Sequence, residues 1–263
     1  MRILVYLFLS VLLANCNSSS SDKDTKKVIS DTAKKDNGSS EQISTIFKGA
    51  EKIALSDLPS SIKVQGVATE AWKWNDNSGE NILVLSQVAP HSNESKSKNE
   101  DEGETASLHA IQYIKKNDKY EYVWGLNEEE KACPVDISCA FIPGSTSISD
   151  LNKNGFAEIK VQYAMACRGD VSPATMKLVI RENGVDYGLM GNRWIAYDPK
   201  LKFDVNESNV NLEKTPKLKD EMAELERTMG RYESERRFAN APSEFLPYAK
   251  SEWLKYVKEK TGE

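Results

Sequence analysis

Histidine is nearly absent from this chain, with two in 263 residues. His91 lies in a Ser-Asn-Glu-Lys stretch and His109 in an alternating segment, so a Ser/His/Asp or Cys/His pair has little support. GxSxG, HExxH, CxxC and a phosphate-cradling glycine loop are all missing. Those absences remove nucleophile-elbow hydrolases, zincins, thiolate zinc sites and P-loop enzymes from the readings available. A basic surplus is missing as well. Lys and Arg number 35 against 40 Asp and Glu, a net charge of −5. Phosphate backbones need clustered cations, which excludes nucleic acid as a partner. Beyond residue 16, no apolar run approaches the roughly 20 residues of a transmembrane helix.

The one long apolar run stands at the start. Arg2 supplies a positive beginning, Ile3 to Ala14 carry no charge, and Cys16 follows at once. This is the layout of a secretory signal peptide over residues 1–15. Leu13-Ala14-Asn15-Cys16 resembles a bacterial lipobox, with Asn15 where a small residue is usual. The resemblance implies that Cys16 carries lipid and that the mature protein is anchored in the cell envelope, at the outer membrane. The alternative is a plainly secreted protein cleaved further on. Residues 16–41, rich in Ser, Lys and Asp, read as a disordered tether.

Residues 42–205 read as a β-rich domain interrupted by a mobile polar loop at 91–104. Val67–Trp74 and Asn81–Val88 flank a cluster of turn formers, Ser107–Lys115 turns at 116–119 into Tyr120–Leu126, and Asn183-Gly184 joins Met176–Arg181 to Val185–Met190. Phe156–Ala166 is a further strand, and Trp194, Tyr197 and Phe203 are candidates to extend the sheet. In residues 206–263 the period changes. Leu218, Met222, Leu225, Met229 and Tyr232 form one helical stripe, and after Pro242 and Pro247 a last helix carries Trp253, Leu254 and Val257. The expected fold class is α+β, antiparallel hairpins and meanders followed by C-terminal amphipathic helices.

One motif carries a clear mechanism. Asp150, Asn152 and Asn154 occupy positions one, three and five of a loop, Gly155 permits its sharp turn, the Phe156 carbonyl can point inward, and Glu158 is ninth. Calcium takes six to eight oxygens, and alternate residues of a tight loop can aim theirs at one centre. The start is EF-hand-like, but position twelve is Val161 rather than Glu, and the following residues alternate as a strand. The pattern resembles the calcium loops of integrin-type β-propeller repeats. With two carboxylates, it predicts weak, structural Ca2+ binding in the extracellular range of about 0.1 to 1 mM. The competing reading is a turn in which Asp and Asn cap their own backbone.

Arg168-Gly169-Asp170 matches an adhesion tripeptide, although Cys167 before it and Ser172-Pro173 after it equally describe a disulfide-anchored turn. Cys133, Cys139 and Cys167 suggest one disulfide and one thiol left over. A hairpin centred on the Asp150 loop brings residues near 139 opposite residues near 167. Trp72, Trp74 and Trp124 are candidates for stacking on sugars, with core packing as the more frequent role of strand aromatics.

Trp74-Asn75-Asp76, Gly79-Glu80-Asn81, Cys133-Pro134-Val135-Asp136, the 150–158 loop and Cys167-Arg168-Gly169-Asp170-Val171-Ser172-Pro173 occur in an order that resembles a poorly characterised bacterial lipoprotein family loosely linked to surface polysaccharide biosynthesis. The resemblance covers Val67 to Met190 and favours Cys133 as the partner of Cys167. The expected function is therefore a lipid-anchored, non-enzymatic envelope protein that binds a glycan or another envelope protein. A glycan hydrolase using a carboxylate pair, and an adhesin using Arg168-Gly169-Asp170, are the alternatives.

Overall fold

Period-two alternation gives each strand two faces, and in this protein apolar residues pack on both faces of both sheets, with Val67, Tyr122 and Val123 left exposed. The computed structural model describes residues 47–92 and 103–259. The signal peptide, Cys16, the tether and residues 93–102 of the expected loop lie outside the described residues. The first sheet is an antiparallel meander of β1 (Ala50–Lys52), β2 (Val67–Asp76), β3 (Gly79–Ser92), β4 (Glu104–Lys116) and β5 (Lys119–Cys133). In the second sheet β10 (Val185–Asn192), β9 (Thr175–Glu182), β8 (Glu158–Arg168) and β6 (Asp136–Phe141) lie side by side, and β7 (Ser147–Ser149) also pairs with β8. His91 and Ser92 pair with Thr105 and Glu104, so both ends of the expected loop belong to strands.

The turns explain the register. Asn117 and Asp118 both have positive φ, as do Asn183 and Gly184. Two such residues in succession give the turn whose twist matches paired antiparallel strands. Between the sheets, Trp74, Leu83, Leu85, Leu108 and Trp124 meet Phe141, Ile159, Val161, Tyr163 and Val179. The intervening residues Ile82 and Val84 point the other way, where Ile62 and Tyr113 join them. The outer face of the second sheet presents Met176, Leu178, Ile180, Tyr187 and Leu189 to the C-terminal segment.

That segment holds α1 (Glu221–Thr228) and α2 (Phe245–Tyr256), which completes an α+β fold of antiparallel sheets followed by helices. The expected stripe from Leu218 to Tyr232 is corrected. Helix α1 has no buried residue, Leu218 and Met222 are exposed, and the chain leaves the helix at Met229. Gly230 takes φ +78°, and a Cβ there would lie 2.8 Å from Val205, so the chain turns where a helix would continue. Met229 and Tyr232 are buried through bridges to Asn192, Gly191 and Asn211 instead. Pro247 does not break the chain either: it sits in the first turn of α2, where a missing N–H costs no helical bond. Trp194, Tyr197 and Phe203 lie outside the named strands, and Trp194 makes only an isolated bridge, to Lys258.

Helix α2 buries Phe245, Ala249 and Trp253, four residues apart on one face. Beneath it, Lys160 of β8 is 1 % exposed. Its ammonium pairs with Glu252 of α2 and lies 5.3 Å from the Tyr256 ring and 5.8 Å from that of Tyr248. Burial pulls the Lys160 pKa down, and Glu252 opposes that shift. A lone charge left in such a site costs more than the pair contributes. Glu252→Ala is expected to destabilise the protein by about 3 to 5 kcal/mol. The double variant Lys160→Met/Glu252→Leu should recover most of that loss, and urea denaturation of the three proteins checks both.

Candidate functional site

The register Ser149↔Glu158 makes residues 150–157 the connection between β7 and β8. Asp150 Oδ1 accepts from Asn154 N at 3.0 Å and Oδ2 from Gly155 N at 3.0 Å. Asn152 Oδ1 accepts from Asn154 N at 3.1 Å, and Asn154 Oδ1 from Phe156 N at 2.8 Å. Gly155 is required twice over: its φ is +83°, and a Cβ would lie 2.2 Å from Asn77 Nδ2. The β2–β3 turn closes against it, with Asn77 N donating to the Gly155 carbonyl at 2.8 Å.

Two carboxylates outside the expected set hold this loop. Asp76 Oδ2 accepts from Ala157 N and from Trp74 Nε1, while its Oδ1 accepts from Ser78 N and Asn81 Nδ2. Glu182, at the end of β9, accepts from Asn152 Nδ2 at 2.7 Å and Asn154 Nδ2 at 2.6 Å through the same oxygen. Glu158 is 1 % exposed; its Oε2 accepts from Leu151 N at 2.7 Å, while Oε1 has no hydrogen-bond partner among the described residues. Burial, with smaller contributions from Glu182 and Asp150, pushes the Glu158 carboxyl up to about 7. Among the described residues no three His, Cys, Asp or Glu side chains gather into one metal-holding group, so any cation here must draw on amide and carbonyl oxygens as well.

A cleft of about 380 Å³ opens elsewhere, where β5 faces β9 and β10. Its lining includes Leu126, Glu128, Lys177, Gly188, Glu233 and Arg237. Gly188 faces inward opposite Val179, and its missing side chain keeps the floor open beside Arg237. Glu128 is already engaged, accepting from the Tyr163 hydroxyl at 2.7 Å and from Lys177 at 2.9 Å. Burial and then that carboxylate raise the Tyr163 pKa. Arg237 is exposed and makes no hydrogen bond or ion pair among the described residues. Nothing in the sequence singles out this arginine, since its position at the cleft comes from three strands and a short turn that are distant along the chain.

The tryptophans are no sugar platform. Trp74 and Trp124 are buried, Arg181 covers the Trp124 ring at 4.9 Å, and Trp72 is half-buried under Lys52. A polar relay also escaped the sequence: His109 Nε2 lies 3.1 Å from Ser107 Oγ, and its Nδ1 lies 2.7 Å from Asn127 Oδ1. These atoms have the order of a nucleophile, a base and its orienting amide. Ser107 and His109 are buried, however, and β4 is paired on both sides, so its backbone N–H groups are not free to hold an oxyanion.

In the adhesion tripeptide, the Arg168 guanidinium is held by the Ser172 carbonyl and both Glu259 oxygens, and Asp170 accepts from Ser172 N at 2.9 Å. The arginine is engaged within the fold rather than presented. Cys133 and Cys167 lie at bonding distance, Sγ to Sγ 2.12 Å, linking the end of β5 to the end of β8. Cys139 is opposite Met165 and Ile137 opposite Cys167, so Cys139 points into the core two residues away from that bond.

Compared with protein families, curated proteins and solved structures, this chain matches no family model, no curated protein and no solved structure.

Burial is the main cause that raises the Cys139 thiol to about 11 from an ordinary value near 9. A raised thiol pKa means less thiolate at any given pH, by about a hundredfold here. Native protein beginning after Cys16 and treated with iodoacetamide at pH 8 should therefore stay unlabelled, and unfolding it without reductant should expose Cys139 alone to the reagent. Peptide mapping without reduction is expected to recover the 133–167 link. Closing a loop of 34 residues stabilises by about 4 kcal/mol in the chain-entropy model.

Proposed function

We propose that this protein is a lipid-anchored, non-enzymatic component of the bacterial cell envelope whose cleft between β5 and β10 holds a glycan of the surface polysaccharide. The observation that carries this reading is Arg237. An exposed guanidinium with no hydrogen bond or ion pair among the described residues stands at a cleft where Glu128 is engaged by Tyr163 and Lys177 and Asp186 by Arg181, leaving Glu233 as the remaining lining carboxylate. Such a cation recognises a carboxylate or sulfate on an acidic sugar by paired N–H donation. The mixed lining supports the same ligand class: Leu126, Val179 and Met190 offer apolar surface to a ring face, while Asn127, Glu233 and Ser234 offer partners to hydroxyls. The cleft volume also falls in the range of small-molecule sites, about 300 to 1,000 Å³.

The anchor reading rests on the signal-like start and Cys16. Cys16→Ala is expected to move the protein from the membrane to the soluble fraction and to abolish labelling by radioactive palmitate. Unchanged partitioning without label would end that reading. For the cleft, calorimetric titration with acidic fragments of the producing cell's own polysaccharide should show saturable binding that Arg237→Ala weakens at least tenfold. No binding by the wild type refutes the glycan reading. Release of reducing ends by the wild type, lost in Glu233→Gln, would instead make the protein a hydrolase.

A further inference from the structure

The geometry points to a calcium site in the 150–158 loop, with Asp150, Asn152, Asn154, the Phe156 carbonyl and Glu158 as oxygen ligands and Glu182 as the residue that orients the two amides. Sequence spacing alone left this motif incomplete, because Val161 stands where an EF-hand places its last carboxylate. Two structural observations bear on that gap.

The first is Glu158. Its carboxylate reaches back to the loop, since Oε2 accepts from Leu151 N and lies 3.5 Å from Ser149 Oγ. The other oxygen, bonded to the same carbon, therefore also lies at the loop. It is buried, and no N–H or O–H among the described residues satisfies it. A buried carboxylate oxygen without a donor is costly unless a cation or water meets it. Calcium accepts oxygen ligands of this kind, singly or in pairs.

The second is Glu182. An asparagine amide carries its nitrogen and its oxygen on opposite arms. With both Nδ2 groups drawn to one oxygen of Glu182, both Oδ1 atoms turn away from it, toward the backbone of the turn. Each keeps a second lone pair after accepting its backbone N–H. Asp150, which accepts from the fifth and sixth residues of the loop, likewise retains lone pairs on both oxygens. Glu182 thus acts through the ligands rather than as one, in the way that outer partners fix metal-bound side chains. It also comes from β9, twenty-four residues after Glu158, where no spacing rule would look for it.

The ligand class follows from the donor set. All donors are oxygens and two are neutral amides, which suits a large hard cation and not zinc. Magnesium asks for a tighter octahedron and keeps its waters, so it should bind at least tenfold more weakly.

The test is titration of chelator-treated protein with calcium chloride, and separately with magnesium chloride, by calorimetry and thermal melting. Calcium should bind with a dissociation constant of about 0.1 to 1 mM and raise the melting temperature. Glu158→Gln should weaken calcium at least tenfold. In chelator it should melt at the wild-type temperature or above, because a neutral amide is easier to bury than an unpartnered carboxylate. Glu182→Ala should weaken calcium severalfold without touching the ion. Hydrogen exchange of the wild type locates the site even if a variant fails to fold: calcium should protect amides of residues 150–158. No heat and no melting shift up to about 10 mM calcium, protection elsewhere, or full binding by folded Glu158→Gln would each overturn the proposal.

Discussion

The carboxylate of Asp76 is where the two sheets are tied together. It ends β2, is 5 % exposed, and takes donors from Trp74, Ser78 and Asn81 in its own sheet and from Ala157 at the threshold of β8 in the other. A buried carboxylate needs its lone pairs filled, and unmade hydrogen bonds cost about 1 to 3 kcal/mol each. One side chain therefore fixes the β2–β3 turn and seats the 150–158 loop against it. The close approach of Asn77 to Gly155 follows from the same docking, and only a glycine leaves room for it.

From that tie the rest of the layering follows. Strand β8 leaves the loop with Ile159, Val161 and Tyr163 directed between the sheets and Lys160 and Gln162 directed to the opposite face. Those polar residues are buried because α2 lies over them. Gln162 donates to the Glu252 carbonyl and Lys160 pairs with the Glu252 side chain. A helix carrying only apolar residues on that face would strand the ammonium. The Lys160–Glu252 pair accordingly sets the position of α2 along the strand, while Phe245, Ala249 and Trp253 supply its contact with the sheet.

The 150–158 loop and the cleft are built differently. In the loop, backbone hydrogen bonds and Glu182 of β9 fix the side chains of Asp150, Asn152 and Asn154. In the cleft, strands from both sheets stop short of meeting, Gly188 leaves the floor uncovered, and Arg237 stands beside it with no hydrogen bond or ion pair among the described residues. Fixed ends of rigid strands position a site more accurately than loops do.

The sequence by itself determined the local features. Asn183-Gly184 and the polar turn at 116–119 specify hairpins because their residues tolerate positive φ, and period-two alternation identifies the strands around them. The spacing of Asp150, Asn152, Asn154 and Gly155 likewise dictates a tight loop, since each Asx side chain bonds a backbone N–H within five residues. Tertiary structure decided what depends on distant neighbours. Met229 and Tyr232 fit a helical stripe, yet Gly230 turns the chain and burial against Asn192 and Asn211 satisfies them better than a helix face would. Pro247 looked like a breaker because sequence does not show that α2 begins two residues earlier. Glu182, Asp76 and Arg237 acquired their roles only when strands remote in the chain came together. Hydrophobic period and turn chemistry act over a few residues, whereas the filling of a buried oxygen's lone pairs is settled by whichever donor the packing delivers.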